Sequence, residues 1–518
     1  MSAVLSPALS IGSTGYTGAA PAAPPPAQQA TFGLRLATGL CGVLLAVLVS
    51  GLNENISKIA LADIRGAMGI TRDDASWLVA LYAAASVSAM AFAPWCAATF
   101  SLRRVTLAAI ATCMLMGFLC PFAPNLPVLL AMRTVQGAAG GALPPMLMTV
   151  ALRFLPPNIK LYGLGGYALS ATFGPSLGTP LAAFWTDYLG WQWAFWQVIP
   201  GSIAALLMVS WGLPQDPLRL ERLRQFDWRG LLLGLPAISM LVVGLVQGER
   251  LDWFASPLIC LLLGGGGLLL VLFFINEWSH PLPFFKLQLL ARRNLSHALL
   301  TLGGVLFVLL AVIMIPSAYL AQVHGYRPLQ TAPVMLTVAL PQLLALPLVA
   351  ALCNLRAVDC RWVLAIGLGL LAASCLLGAR MSPDWIRDHF YALQALQIFA
   401  QPMAVIPLLL LATTGLAPAD GPFASAWFNT IKGMAAIVAG AMLDALLTRR
   451  NHFHSTVLSE RLGNLPDGLD MTGMAQRMHA QVVTLTSSDL YLTVAAIALA
   501  MIVLIPILPT RIYPPRAA

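Results

Sequence analysis

Fourteen apolar runs, each long enough to cross a bilayer as a helix, dominate this chain and leave few folds open to it. A transmembrane helix takes about 20 mostly apolar residues. The runs fall at 35–60, 76–96, 104–121, 126–152, 161–186, 193–213, 229–247, 256–276, 296–320, 331–352, 361–379, 389–415, 421–447 and 489–509. Only 9% of the 518 residues are charged, against about 25% in soluble chains. The pattern predicts an all-α membrane protein with 14 transmembrane helices. Six form an N-terminal bundle (35–213), and a linker with two extra helices follows (214–293). Six more form a C-terminal bundle (294–518). Two six-helix bundles point to an internally repeated transporter with its site near the midplane, between the halves.

The polar stretches supply orientation. Residues 1–34 carry no Lys or Arg and are rich in Ala, Pro, Ser and Gly, so they read as a disordered cytoplasmic tail rather than a signal peptide. With that tail inside, the inner segments hold about 16 Lys and Arg and the short outer loops about seven. Both termini are therefore expected on the cytoplasmic side, with Arg449 and Arg450 as exceptions. The net charge of +9 follows from this asymmetry and calls for no nucleic acid. Outer loop 449–488 reads as a small helical hairpin outside the membrane, its His452, His454 and His479 solvated.

Several chemistries are not expected. The eight cysteines show no metal-ligand spacing, so neither a disulfide nor a metal site is predicted. A phosphate-binding Gly-Lys-Ser/Thr loop and a nucleophile elbow are both missing, so the reading is not an enzyme, not an ATP-driven pump, and without cofactor.

Ionisable residues inside spans are costly and become functional candidates by default. Glu54 is one, near the end of the first span. It reads equally as a proton carrier or as a rim residue paired with Lys58, four positions on. Arg133 lies in the fourth span beside Gln136 and a small-residue run, and needs a cavity or a partner. Lys432 lies in the thirteenth, after Asn429. Gln394, Gln397 and Gln401 share one helical face, and Gln342 follows Pro341. They are expected, with Asn53, Gln136 and Asn429, to line a substrate path, the alternative being helix–helix glue. In the fifth span, Gly174 and Gly178 share a face for close helix approach, while Pro175 and Pro180 bend the helix.

At this level the chain resembles the fourteen-helix drug/proton antiporter branch of the major facilitator superfamily, the EmrB/QacA type. Gly174-Pro175-x-x-Gly178 is similar to its fifth-helix antiporter motif, and Arg133-x-x-Gln136-Gly137 to the fourth-helix motif. Trp191-Gln192-Trp193, Phe226-Asp227-Trp228-Arg229-Gly230 and Asn429 with Lys432 resemble further stretches. There are departures: Asn53 stands where the family has aspartate, and the loop after the second helix, Ala97 to Arg104, lacks the usual acid. The resemblance implies the major facilitator fold and alternating access. It also implies proton-driven export of amphiphilic organic compounds across a bacterial inner membrane. Glu54, Arg133 and Lys432 become proton-coupling candidates. Partnership with a periplasmic adaptor protein and an outer-membrane channel is implied by family alone. A dedicated exporter of one metabolite, such as an aromatic acid, and a non-transporting membrane sensor or scaffold are the alternatives.

Overall fold

The computed structural model describes residues 33–156, 159–414, 416, 420–462, 471–506 and 510–511. Contacts divide the chain into residues 1–31, none of them described, and a unit running 32–518. The expectation for a disordered tail at 1–34 thus falls almost wholly outside the described residues.

The N-terminal half contains α1 (Leu34–Ile59), α2 (Arg72–Phe100), α3 (Leu102–Leu119), α4 (Leu126–Phe154), α5 (Lys160–Tyr188) and α6 (Val198–Gly212). Two helices follow, α7 (Trp228–Gly248) and α8 (Pro257–Ser279). The C-terminal half contains α9 (Arg293–His324), α10 (Pro328–Asn354), α11 (Cys360–Gly378), α12 (Phe390–Thr413), α13 (Gly421–Leu462) and α14 (Met471–Leu504). Among the described residues, thirteen helices are apolar and long enough to cross a membrane. Helix α5, 29 residues long and rich in Gly, Ser and Thr, is the fourteenth long helix.

Helix limits follow local chemistry. Thr71 caps α2 by accepting from Asp74 N at 3.1 Å, and Asn125 caps α4 by accepting from Val128 N at 3.1 Å. At the end of α9, Gly325 takes a left-handed conformation (φ 65°) that closes the helix. On α8, Leu261, Leu268 and Ile275 recur every seven residues and are 64%, 62% and 63% exposed, which marks a lipid-facing stripe.

Within the first half α2 packs on α4, and α1 on α5 and α6; within the second, α10 packs on α12, and α11 on α12 and α14. The halves meet along α2 with α13, α4 with α13, α5 with α10, and α5 with α12. The extra pair α7/α8 leans through α7 on α2 and α13, so it lies against the seam. We call the end where α1 begins the near end and the opposite one the far end.

The polar stretch 449–488 differs from the separate hairpin read in the sequence. Its first part continues α13, a helix of 42 residues, and its last part begins α14, of 34 residues. At 1.5 Å per residue α13 is roughly 63 Å long, about twice a hydrocarbon core. No Gly or Pro stands between Ala441 and Leu462 to stop it. His454 Nε2 and Arg450 both reach Asp489 on α14, at 2.8 and 3.7 Å, and hold the extensions together.

Candidate functional site

Small residues bring the central helices into contact. A Cβ at Gly137 or Gly141 would strike the backbone of Tyr82 or Ser86, so α4 lies directly against α2. The run 137–142 thereby places Arg133, one turn earlier on α4, among aromatic rings. Its guanidinium sits 4.3 Å from the Tyr82 ring centre and 5.5 Å from that of Phe195. Arg133 donates to Gln136 Oε1 at 2.6 Å, and Gln136 Nε2 donates to the Cys113 carbonyl at 3.2 Å. Arg133 is only 4% exposed, so it has the partner its charge requires, though a neutral one.

Glu54 and Lys58 form an ion pair at 2.6 Å, one turn apart on α1. The carboxylate also lies within electrostatic reach of Arg133 and of Lys432 on α13. Lys432 Nζ stands 4.6 Å from the ring centre of Tyr167 on α5. The three ionisable candidates therefore share one region, although they come from α1, α4 and α13. Tyr82, Tyr167 and Phe195 complete it, and none was singled out in the sequence. Their only signal there is an aromatic ring within an apolar run.

Asn53 is fully buried, and both its amide atoms lack a hydrogen-bond partner. It is neutral at the position where the family resemblance implies an aspartate. Glu54, the next residue, points to a different face and is partly exposed.

A closed layer lies on the near side of Lys432. Tyr167 donates to Asn429 Oδ1 at 2.8 Å, Ser425 donates to the Pro145 carbonyl at 3.1 Å, and Asn429 Nδ2 reaches Met148 Sδ at 3.6 Å. These contacts tie α4 and α5 to α13, and Ser425 and Asn429 are fully buried. Lys432 and Glu54 are only partly buried. These contacts close the halves against one another on the near side of Lys432.

The four glutamines all sit at contacts between C-terminal helices. Gln342 on α10 donates to Gln401 on α12 at 2.5 Å. Gln397 donates to Ser374 on α11 at 2.7 Å, and Gln394 to the Val312 carbonyl on α9 at 3.3 Å. All four are at most 3% exposed. In this structure the bonds link α10 with α12, α12 with α11, and α12 with α9.

The α5 motif faces α1. A Cβ added at Gly178 would lie 2.7 Å from Asn55 Cβ, so only glycine allows this approach. Helix α5 continues through Pro175 and Pro180 without a break.

Comparison with known proteins agrees with this architecture. Residues 43–352 match the profile of the Major Facilitator Superfamily. The chain is 24% identical over 425 residues to the probable multidrug resistance protein EmrY of Escherichia coli strain K12, covering 80% of this chain and 81% of that one. It is 23% identical over 500 residues to the multidrug export protein EmrB of the same strain, covering 92% and 96%. Among solved structures, a double-tryptophan mutant of XylE superposes with a TM-score of 0.58 at 13% identity, covering 92% of this chain and 96% of that one.

Proposed function

Because this chain belongs to the Major Facilitator Superfamily, we propose that it exports amphiphilic organic compounds across the bacterial inner membrane by multidrug efflux, in exchange for protons. Both termini then lie in the cytoplasm, so the near end is cytoplasmic and the seal closes the cytoplasmic side. The reading is supported by relatives named for multidrug export over nearly the whole chain.

The observation that carries it is the meeting of Glu54, Arg133 and Lys432 from three helices at the seam, directly above a seal between the halves. Alternating access needs such a seal on one side at a time, and antiport needs a titratable group beside it. Glu54 is the proton carrier in this scheme, and it exchanges its Lys58 partner for a proton. Arg133 is permanently charged and holds the local field. Lys432 faces Glu54 across the seam, so the charge on Glu54 alters how strongly α13 is drawn to α1. The α1–α5 contact at Gly178 is where the first half would pivot. A periplasmic adaptor protein and an outer-membrane channel are proposed partners, and the long extensions of α13 and α14 offer them a surface.

Everted membrane vesicles carrying the protein test this reading. A fluorescent lipophilic cation should accumulate when a proton gradient is imposed and leak back when the gradient is collapsed. Accumulation that ignores the gradient would remove the coupling, and none in either state would remove cationic amphiphiles as substrates.

A further inference from the structure

Two carboxylates meet at the near end of the extra helix pair, away from the charged cluster at the seam. Asp227 caps α7. Its Oδ1 accepts from Gly230 N at 2.7 Å and its Oδ2 from Asn276 Nδ2 at 2.5 Å. Glu277, on α8, accepts through Oε2 from Phe285 N at 2.7 Å. Both side chains are buried, at 3% and 2% exposure. The second Glu277 oxygen, Oε1, has no hydrogen-bond partner among the described residues.

The unpartnered atom points at its neighbour. A Cβ built on Gly230 would meet the Asp227 carboxylate and would lie 2.8 Å from Glu277 Oε1, so both carboxylates converge over that glycine. The donors they receive, two backbone amides and one side-chain amide, are all neutral. Lys286 pairs with Asp420, Arg222 lies 6.0 Å from the Trp95 ring centre, His280 Nδ1 accepts from Leu282 N, and Arg229 is exposed. Phe92 and Trp95 of α2 close the surroundings through Phe273 and Phe284.

Two ionised carboxylates repel when held together away from water, and one proton between them removes the repulsion and gives Oε1 its partner. We propose that Asp227 and Glu277 form a proton-binding site, one proton shared between the two carboxylates, separate from Glu54. The site also has a mechanical connection. Glu277 holds the backbone of Phe285, whose ring packs 4.9 Å from that of Trp427 on α13. Trp427 Nε1 donates to the Lys286 carbonyl at 3.2 Å, and Lys286 pairs with Asp420 at 2.8 Å just before α13 begins. Losing the proton loosens the segment that seats the start of the seam helix. This gives the extra helix pair a part in gating.

Thermal unfolding of the full-length protein in detergent, followed from about pH 5 to about pH 9, tests the site. The folded pair keeps a proton that an unfolded chain releases, so wild-type stability should fall with rising pH until that proton leaves. Glu277→Gln keeps the hydrogen bonds and removes the titration. Its midpoint should change less across the range and exceed wild type by a few degrees at the alkaline end. Asp227→Asn keeps the helix cap and should flatten the profile likewise, which preserves the test if Glu277→Gln does not fold. A flat wild-type profile, or variant profiles parallel to it, would overturn the proposal. The readout is stability, so the result stands apart from whether the protein exports drugs.

Discussion

The two halves of the molecule share a six-helix plan but use their buried polar residues differently. The first half concentrates charge: Arg133 lies between the Tyr82 and Phe195 rings, Glu54 sits within reach of it, and Asn53 keeps two amide atoms unpartnered. The second half buries neutral amides and uses them as ties, through Gln342 with Gln401, Gln397 with Ser374, and Gln394 with the Val312 carbonyl. Lys432 is its contribution to the charged cluster, and it faces the first half rather than its own bundle. The difference indicates a division of labour. The first half places buried charge at the seam, and the second uses neutral amides to bind its own helices to one another.

Arg133→Ala should cut gradient-driven export most, by at least about 100-fold. A charge-assisted hydrogen bond and a desolvated cation–π contact together are worth roughly 3–5 kcal/mol. Arg133→Lys should not restore it, because a point ammonium cannot stack as the planar guanidinium does. Transport assays on both variants check this, and full activity in either would end the assignment of chemistry to the first half.

Gly178→Leu should come next. Even its Cβ would meet Asn55 at 2.7 Å, so α5 must move off α1. Overpacking of this kind costs about 1–3 kcal/mol. Export should fall about 10-fold with a lowered unfolding midpoint. An unchanged midpoint would show that α1 and α5 part easily.

Gln397→Leu sharpens the contrast from the other side. The Gln397 amide oxygen has no partner among the described residues, so the substitution removes one tie and one unsatisfied atom. Interhelical hydrogen bonds in membranes average about 0.6 kcal/mol. Stability should change by less than about 1 kcal/mol, and the proton dependence of export should be unaltered. A shifted pH profile would return Gln397 to the transport path.

Much of the fold was legible in the sequence because membrane spans announce themselves by length and hydropathy. Even α5 stood out as a run, although Gly, Ser, Thr and Pro interrupt its apolar residues. The extension of α13 was legible in part: the absence of Gly and Pro between Ala441 and Leu462 predicts a continuous helix, but polarity invites a break there. The site was less legible. Glu54, Arg133 and Lys432 could be singled out by the cost of burying charge, but their meeting depends on tertiary contacts between distant spans. Tyr82 and Tyr167 look like ordinary apolar filling until Arg133 and Lys432 are seen against their rings. The glutamine spacing on α12 gave the shared face correctly, yet spacing cannot tell whether a face meets a cavity or three neighbouring helices. Asp227 and Glu277 are 50 positions apart in the chain, and they converge over Gly230 only after folding.

The central claim is that Glu54 carries the coupling proton. Its most direct test measures export in everted vesicles for wild type and Glu54→Gln, each with and without an imposed proton gradient. The account predicts that wild type accelerates when the gradient is applied, whereas Glu54→Gln still binds substrate but shows the same slow flux in both conditions. Gradient-driven export at the wild-type rate in Glu54→Gln would contradict it and place the proton elsewhere.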